Sequence, residues 1–258
     1  MKTVTIEYPV SKYIKYNRFS KGSHPENWDE VTPTQLITIA CLYKNSITLM
    51  QFLNKMIQIK IRILKKLDQY QLLKLTELVG FVSDFKPFKH FVINKLDCDE
   101  ILYSPKPKLK GMSFGQFIFA DTYFNNYRFD SKQEDLNKFI ASLYLPENKA
   151  FDEDTIDQRS ELIANLDIGT KEAIAINYQL IWEWLCNVYP LIFQKQEQDP
   201  DTVIKEPVKK PKNNTNWIKI LDSIVGDNII NMDKYTQLNV HTVLRHMTKL
   251  YKDSLKRK

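Results

Sequence analysis

Four histidines and three cysteines are the residues of this chain best suited to bind a metal or to attack a carbonyl. Their spacing argues against both. His241 and His246 lie five residues apart on one helical segment, about 140° around a 3.6-residue turn, so they cannot share an ion. His24 and His90 stand alone in loops, and no Ser or Cys has the surroundings of a triad nucleophile. Cys41, Cys98 and Cys186 are odd in number and far apart, which fits reduced thiols better than a disulfide framework or paired zinc knuckles. The runs Asp97-Cys98-Asp99-Glu100 and Asp152-Glu153-Asp154 lack the glycine turn and ligand spacing of a calcium loop, and read as solvated loop charge. Six glycines, at Gly22, Gly80, Gly111, Gly115, Gly169 and Gly226, leave no phosphate-cradling loop. The expectation is a non-enzyme with no catalytic, cofactor-binding or metal-binding residues.

The elements that must position any other site are mostly helical. Thr32-Pro33-Thr34-Gln35 reads as a helix start, with Thr32 as cap, Gln35 as its reciprocal partner, and Val31 and Leu36 as a hydrophobic staple. The same box spacing recurs at Asp68 and Gln71, Ser113 and Gln116, Ser131 and Glu134, and Thr155 and Gln158. One long helix is expected from Ser46 to about Lys66, with Leu53 and Met56 in the core, and another from Lys171 to about Val188, capped by Thr170. Trp182 and Trp184 sit two apart on that helix, so they face different neighbours. Alternation over Thr3–Tyr8 is the clearest strand signal, and a short strand is expected near Phe91–Ile93 or Ile101–Tyr103. The fold class is therefore mainly α: an irregular multi-helix body with at most a small β element, plus a C-terminal helical hairpin on a flexible linker. The body is placed at 1–194. The linker is placed at 195–216, where Pro200, Pro207 and Pro211 stand among charged residues with too little aliphatic content for a core. The basic hairpin is placed at 217–258.

With 43% apolar and 26% charged residues, the composition excludes wholesale disorder and a multi-span membrane protein. The segment Ala173–Gln194 carries Glu183 as its one charge, but Asn177, Gln179, Asn187 and Pro190 would be costly in lipid, so a buried core helix is the reading. Met1–Thr5 opens a polar segment with no apolar stretch of signal-peptide length, so the cytoplasm is the expected location. The net charge of +6 is uneven: residues 205–258 hold twelve basic and five acidic residues, which assigns the basic character to the last fifth of the chain.

The terminal helix is the most informative segment. Val240, Val243, Leu244, Met247, Leu250, Tyr251 and Leu255 form an apolar stripe, and Arg245, Lys249, Lys252 and Lys256 form a basic one. The stripe either packs on the Trp217 helix and the body or is completed by a partner or a second copy, because two helices bury too little to stand alone. Val240, Val243, Leu244, Met247, Leu250 and Tyr251 are the candidate partner-binding residues. The segment lacks a polar base-reading set at helical spacing, so nucleic acid is the less favoured partner.

Three strings, Trp28–Leu36, Phe114–Asp121 and Leu136–Tyr144, together resemble helical proteins encoded among the tail and structural genes of bacteriophages and phage-derived elements. The likeness spans roughly the first 195 residues, and the segment 217–258 is similar to the short helical part of tail-assembly chaperones. The resemblance implies a non-enzymatic structural or tail-assembly protein acting by protein-protein contact on other phage proteins, such as a tape-measure protein. It implies a place in the cytoplasm of a bacterial host or in a virion or phage-like particle, and it transfers no site residue. The alternative expectation is a nucleic-acid-associated protein that uses the basic C-terminal helix. A hydrolase within Phe85–Tyr127 is the enzyme-class rival.

Overall fold

A computed structural model describes residues 1–11, 14–84, 86–193, 217, 221 and 230–256. The protein is mainly α, with ten helices and two small sheets among the described residues. The expected linker at 195–216 lies outside the described residues. The chain divides into two compact units. The first comprises residues 1–88 and 167–180, the second residues 89–166 and 181–258. The described residues of segment 217–258 fall within the second unit.

The first unit opens with a ribbon of two antiparallel strands, β1 (Lys2–Ser11) and β2 (Ile14–His24). Alternation within Thr3–Tyr8 predicts the first strand; the second lacks alternation and forms because β1 offers it a ladder. Helices α1 (Pro33–Tyr43), α2 (Leu49–Ile57), α3 (Ile61–Leu64) and α4 (Gln69–Leu78) follow. Reciprocal capping boxes start α1 at Thr32 and Gln35, α2 at Thr48 and Gln51, and α4 at Asp68 and Gln71.

The single helix expected over 46–66 is broken. Gln58 turns left-handed at φ 59°, and Asn54 Nδ2 donates to the Ile59 carbonyl at 2.7 Å. The cause is the ribbon: a Cβ on Gly22 would stand 2.3 Å from the Ile57 carbonyl oxygen, so the backbones of β2 and of the α2 end approach as closely as a glycine permits. The break turns Ile59, Ile63 and Leu64 inward to join Leu36, Ile39, Leu53, Met56 and Ile57 in the core, while Lys60, Arg62, Lys65 and Lys66 stay exposed.

In the second unit, β3 (Lys95–Asp97), β4 (Ile101–Tyr103) and β5 (Leu145–Pro146) form a small antiparallel sheet in that order. Beside it lie α5 (Phe114–Asp130), α6 (Gln133–Leu143) and α7 (Ile156–Ala164). Helix α8 (Ile168–Val188) begins in the first unit and ends in the second. Among the described residues, no helix is long and apolar enough to cross a membrane.

Three expected caps are corrected. Ser131 takes a left-handed conformation at the end of α5, so it ends that helix and does not start α6. Thr155 is helical and makes no cap hydrogen bond for α7, while Asp152 accepts from the Asp154 amide one turn earlier. Asp167, not Thr170, receives the first-turn amide of α8, from Thr170 N at 3.0 Å.

Ser113 does cap α5, accepting from Gln116 N at 3.1 Å, but the Gln116 side chain is used elsewhere. Its Nε2 donates to the carbonyls of Ser142 at 3.0 Å and Leu143 at 3.1 Å, at the buried end of α6. Arg159 Nε donates to the Ala141 carbonyl at 3.0 Å. Side chains of α5 and α7 therefore satisfy the orphan carbonyls that end α6. The Tyr144 hydroxyl donates to the Ile93 carbonyl, and full burial pushes its pKa far up.

Two stability changes follow from this packing. Leu53→Ala empties a fully buried site and should cost about 2–5 kcal/mol in a denaturant melt. Gln116→Leu keeps the volume but strands the carbonyls of Ser142 and Leu143, and should cost about 1–3 kcal/mol. A loss below about 0.5 kcal/mol at Leu53 would contradict the core described.

Candidate functional site

The C-terminal pair of helices, α9 (Ile230–Gln237) and α10 (Val240–Lys256), is fastened to the start of α5 through backbone. Phe114 N donates to the Leu238 carbonyl at 2.7 Å and Val240 N to the Met112 carbonyl at 3.0 Å, around a bridge between Ser113 and Asn239. Asn239 Oδ1 accepts from His241 N at 3.0 Å and so caps α10. Gly115 admits α9: a Cβ there would lie 3.2 Å from the Thr236 Cβ and 3.3 Å from its carbonyl oxygen. Trp217 is buried against Phe114, Phe117 and Phe193, and its Nε1 donates to Asp121 Oδ2 at 2.7 Å. Asn125 Nδ2 donates to the same carboxylate oxygen at 3.0 Å.

This docking decides the state of the predicted partner residues. Val240, Val243, Leu244 and Met247 are buried within the second unit, so these four candidate partner contacts are already covered by the chain itself. The physical reason is the backbone clamp at Met112–Phe114, which holds the first half of α10 apolar side inward. The stripe nevertheless runs on past the clamp. Leu250 is 45% exposed, Leu255 is 55% exposed and Tyr251 is half-buried. Arg245, Lys249, Lys252 and Lys256 are all exposed on the other side of the helix. Arg245 Nε donates back to the His241 carbonyl at 3.1 Å, and Lys256 lies 4.0 Å from Asp253.

His241 has a part that spacing could not reveal. Its Nε2 lies 2.6 Å from the Lys108 carbonyl and its Nδ1 2.8 Å from the Tyr189 hydroxyl, with the Trp184 and Tyr189 rings beside it. A carbonyl only accepts, so Nε2 carries the proton, and in the neutral ring Nδ1 accepts from Tyr189. The partners lie 52 and 133 residues away in sequence, which leaves no local signal. His246, by contrast, is exposed, with its ring 6.5 Å from that of Tyr235.

The Lys108 loop walls a cleft of about 730 Å³ within the second unit. His90, Lys106, Lys110 and Lys149 line it, with Glu147 as the acidic residue of the lining. Its walls are shaped by left-handed backbone at Lys108, Leu109, Gly111 and Asn148. The charge suits an anionic or acceptor-rich guest, and α10 holds one wall in place through His241.

Ser104 Oγ donates to the Pro105 carbonyl at 3.3 Å. Elsewhere in the Phe85–Tyr127 stretch, burial pushes the Cys98 thiol up, and the carboxylates of Asp97 and Asp99 push it further, away from thiolate chemistry. The two acidic runs act as turns: Cys98 N donates to the Glu100 carbonyl, and Asp152 caps its own loop. Among the described residues, no group of His, Cys, Asp and Glu is arranged to hold a metal ion. No family model, curated protein or solved structure matches the chain.

Because His241 bridges α10 to the cleft wall, His241→Ala should speed amide exchange of Val240–Met247 and of Lys108–Met112 together. Two lost hydrogen bonds correspond to about 1–3 kcal/mol of local stability. Exchange accelerated in only one of the two segments would show that they are not coupled through this ring.

Proposed function

We propose that the protein is a non-enzymatic assembly protein of a phage-type particle that acts by protein-protein contact through the outer half of α10. The observation that carries the contact is the stripe that outruns its own core. Val240, Val243, Leu244 and Met247 are covered, whereas Leu250 and Leu255 continue the stripe into solvent, with exposed Lys249, Lys252 and Lys256 on the other side of the helix. An exposed apolar edge on a helix whose other side is cationic fits a partner that offers an apolar pocket and carries acidic charge nearby. The phage assignment draws on the resemblance of Trp28–Leu36, Phe114–Asp121 and Leu136–Tyr144, with a tape-measure or other tail protein as the expected partner. A second copy of the chain is the other candidate for the same surface.

The test is a pull-down of the full chain with candidate phage tail and tape-measure proteins, joined to sedimentation for self-association. Leu250→Asp with Leu255→Asp should abolish the complex and leave the melting temperature unchanged, since both positions are exposed. Lys249→Glu with Lys252→Glu should mainly slow association, because rim charges steer more than they hold. If α10 instead served nucleic acid, the ranking would invert, with the charge reversals decisive and the leucines indifferent. A complex that survives both leucine changes would refute the proposed surface.

A further inference from the structure

The cleft beside the Lys108 loop has two chemically different parts. One is apolar: Phe91, Met112 and Leu143 line it and are each almost fully buried. The β4–β5 register sets Tyr103 opposite Leu145, so these two side chains rise from the same face of the sheet, and both residues line the cleft. Tyr103 remains 37% exposed, which leaves an aromatic ring open to a guest.

The other part is cationic. Lys106 and Lys110 form an antiparallel bridge, so their side chains leave the same side of the loop, with Cβ atoms ~5 Å apart. Lys149 comes from a different segment, the turn Pro146–Lys149 that follows β5. Among the described residues, none of the three is in an ion pair. Three lysines against Glu147 give the lining a net charge of +2. Like charges set directly opposite each other repel, and an anion between Lys106 and Lys110 would remove that cost. The backbone that bears them is already fixed. Lys108 N donates to the Lys89 carbonyl, while the Lys108 and Met112 carbonyls accept from His241 Nε2 and Val240 N. The site is therefore formed before any guest arrives, which lowers the ordering cost of binding.

A compact dianion with an apolar body satisfies both parts. A phosphate monoester carries a charge of about −2 near neutral pH. The chain has no glycine-rich phosphate cradle, so lysines acting as point charges are the groups that would hold it. A monocarboxylate amphiphile would neutralise only half of the charge. An added peptide strand has little to pair with, because β5 is the edge strand, is two residues long and ends at Pro146, which has no amide hydrogen. The volume of about 730 Å³ suits a guest of mononucleotide size.

We propose that this cleft binds a small phosphate monoester with an aromatic body, its phosphate held by Lys106, Lys110 and Lys149 and its ring against Tyr103. The site shares no residue with the α10 contact and does not rest on that reading.

The experiment titrates the full-length protein calorimetrically with AMP and phenyl phosphate, with adenosine, phenol and inorganic phosphate as their separate halves, and with octanoate as a carboxylate amphiphile. At least one ester should bind roughly tenfold or more tightly than every half and than octanoate. Lys106→Gln with Lys110→Gln should weaken ester binding roughly tenfold or more at unchanged melting temperature, since both side chains are exposed and each supplies a charge-assisted hydrogen bond. Tyr103→Ala should weaken ester binding and leave that of inorganic phosphate as it was. Lys249→Glu with Lys252→Glu should change none of these affinities. Four results would each overturn the proposal: no binding of either ester at about millimolar concentration, esters no tighter than inorganic phosphate, octanoate tighter than both esters, or ester binding indifferent to the Lys106 and Lys110 changes.

Discussion

The buried C-terminus of α6 is the constraint on which the second unit depends. A helix ends with carbonyls that its own backbone cannot satisfy, and water does not reach these. Gln116 and Arg159 answer them at Ala141, Ser142 and Leu143, so α5 and α7 are held to α6 by hydrogen bonds that cannot be exchanged for solvent. Both side chains are themselves buried, which makes each bond costly to leave unmade. Gln116 sits in the first turn of α5, one residue from the glycine that admits α9 and two from the amide that binds Leu238. One turn of helix therefore joins α6 on one side and the C-terminal helices on the other.

From that turn the C-terminal segment acquires its two-part character. The clamp at Met112–Phe114 commits the first half of α10 to the core, and His241 extends the grip to the Lys108 carbonyl. Beyond Met247 nothing on the described chain covers the stripe fully, and Leu250 and Leu255 stay exposed. An amphipathic helix that is half structural and half presented gains a rigid base for its outer turns, which lowers the ordering cost of any contact they make. The cleft beside the Lys108 loop shares this support, since its wall and α10 are tied through one imidazole.

The first unit has a different organising contact, the close approach of Gly22 to Ile57. It splits what the apolar pattern presents as one helix and lays the ribbon along the break. Lys60, Arg62, Lys65 and Lys66 stay exposed around the short turn of helix that follows the break. The opposing carboxylates are absorbed in pairs at the ribbon base and near α4. Net charge alone hides this arrangement, because the acidic stretch of 89–204 cancels it in the sum.

The sequence by itself determined what depends on neighbours within one helical turn. The mainly α class, the Thr32 and Asp68 boxes and the burial of Leu53 and Met56 were all legible there. Tertiary structure decided whatever draws on distant residues. Ser131 and Thr155 have cap spacing but not cap geometry, because the chain direction between packed helices set their backbone first. Gln116 has the partner spacing of a box, yet its side chain reaches the distant carbonyls of α6, because a buried acceptor left unpaired is costly. The break at Gln58, the second strand and the roles of His241 and Trp217 likewise came from partners far along the chain. Stripe residues carry the same periodic signal whether covered or free. Which part of α10 is free was decided by where its clamp ends, a distance that no local pattern encodes.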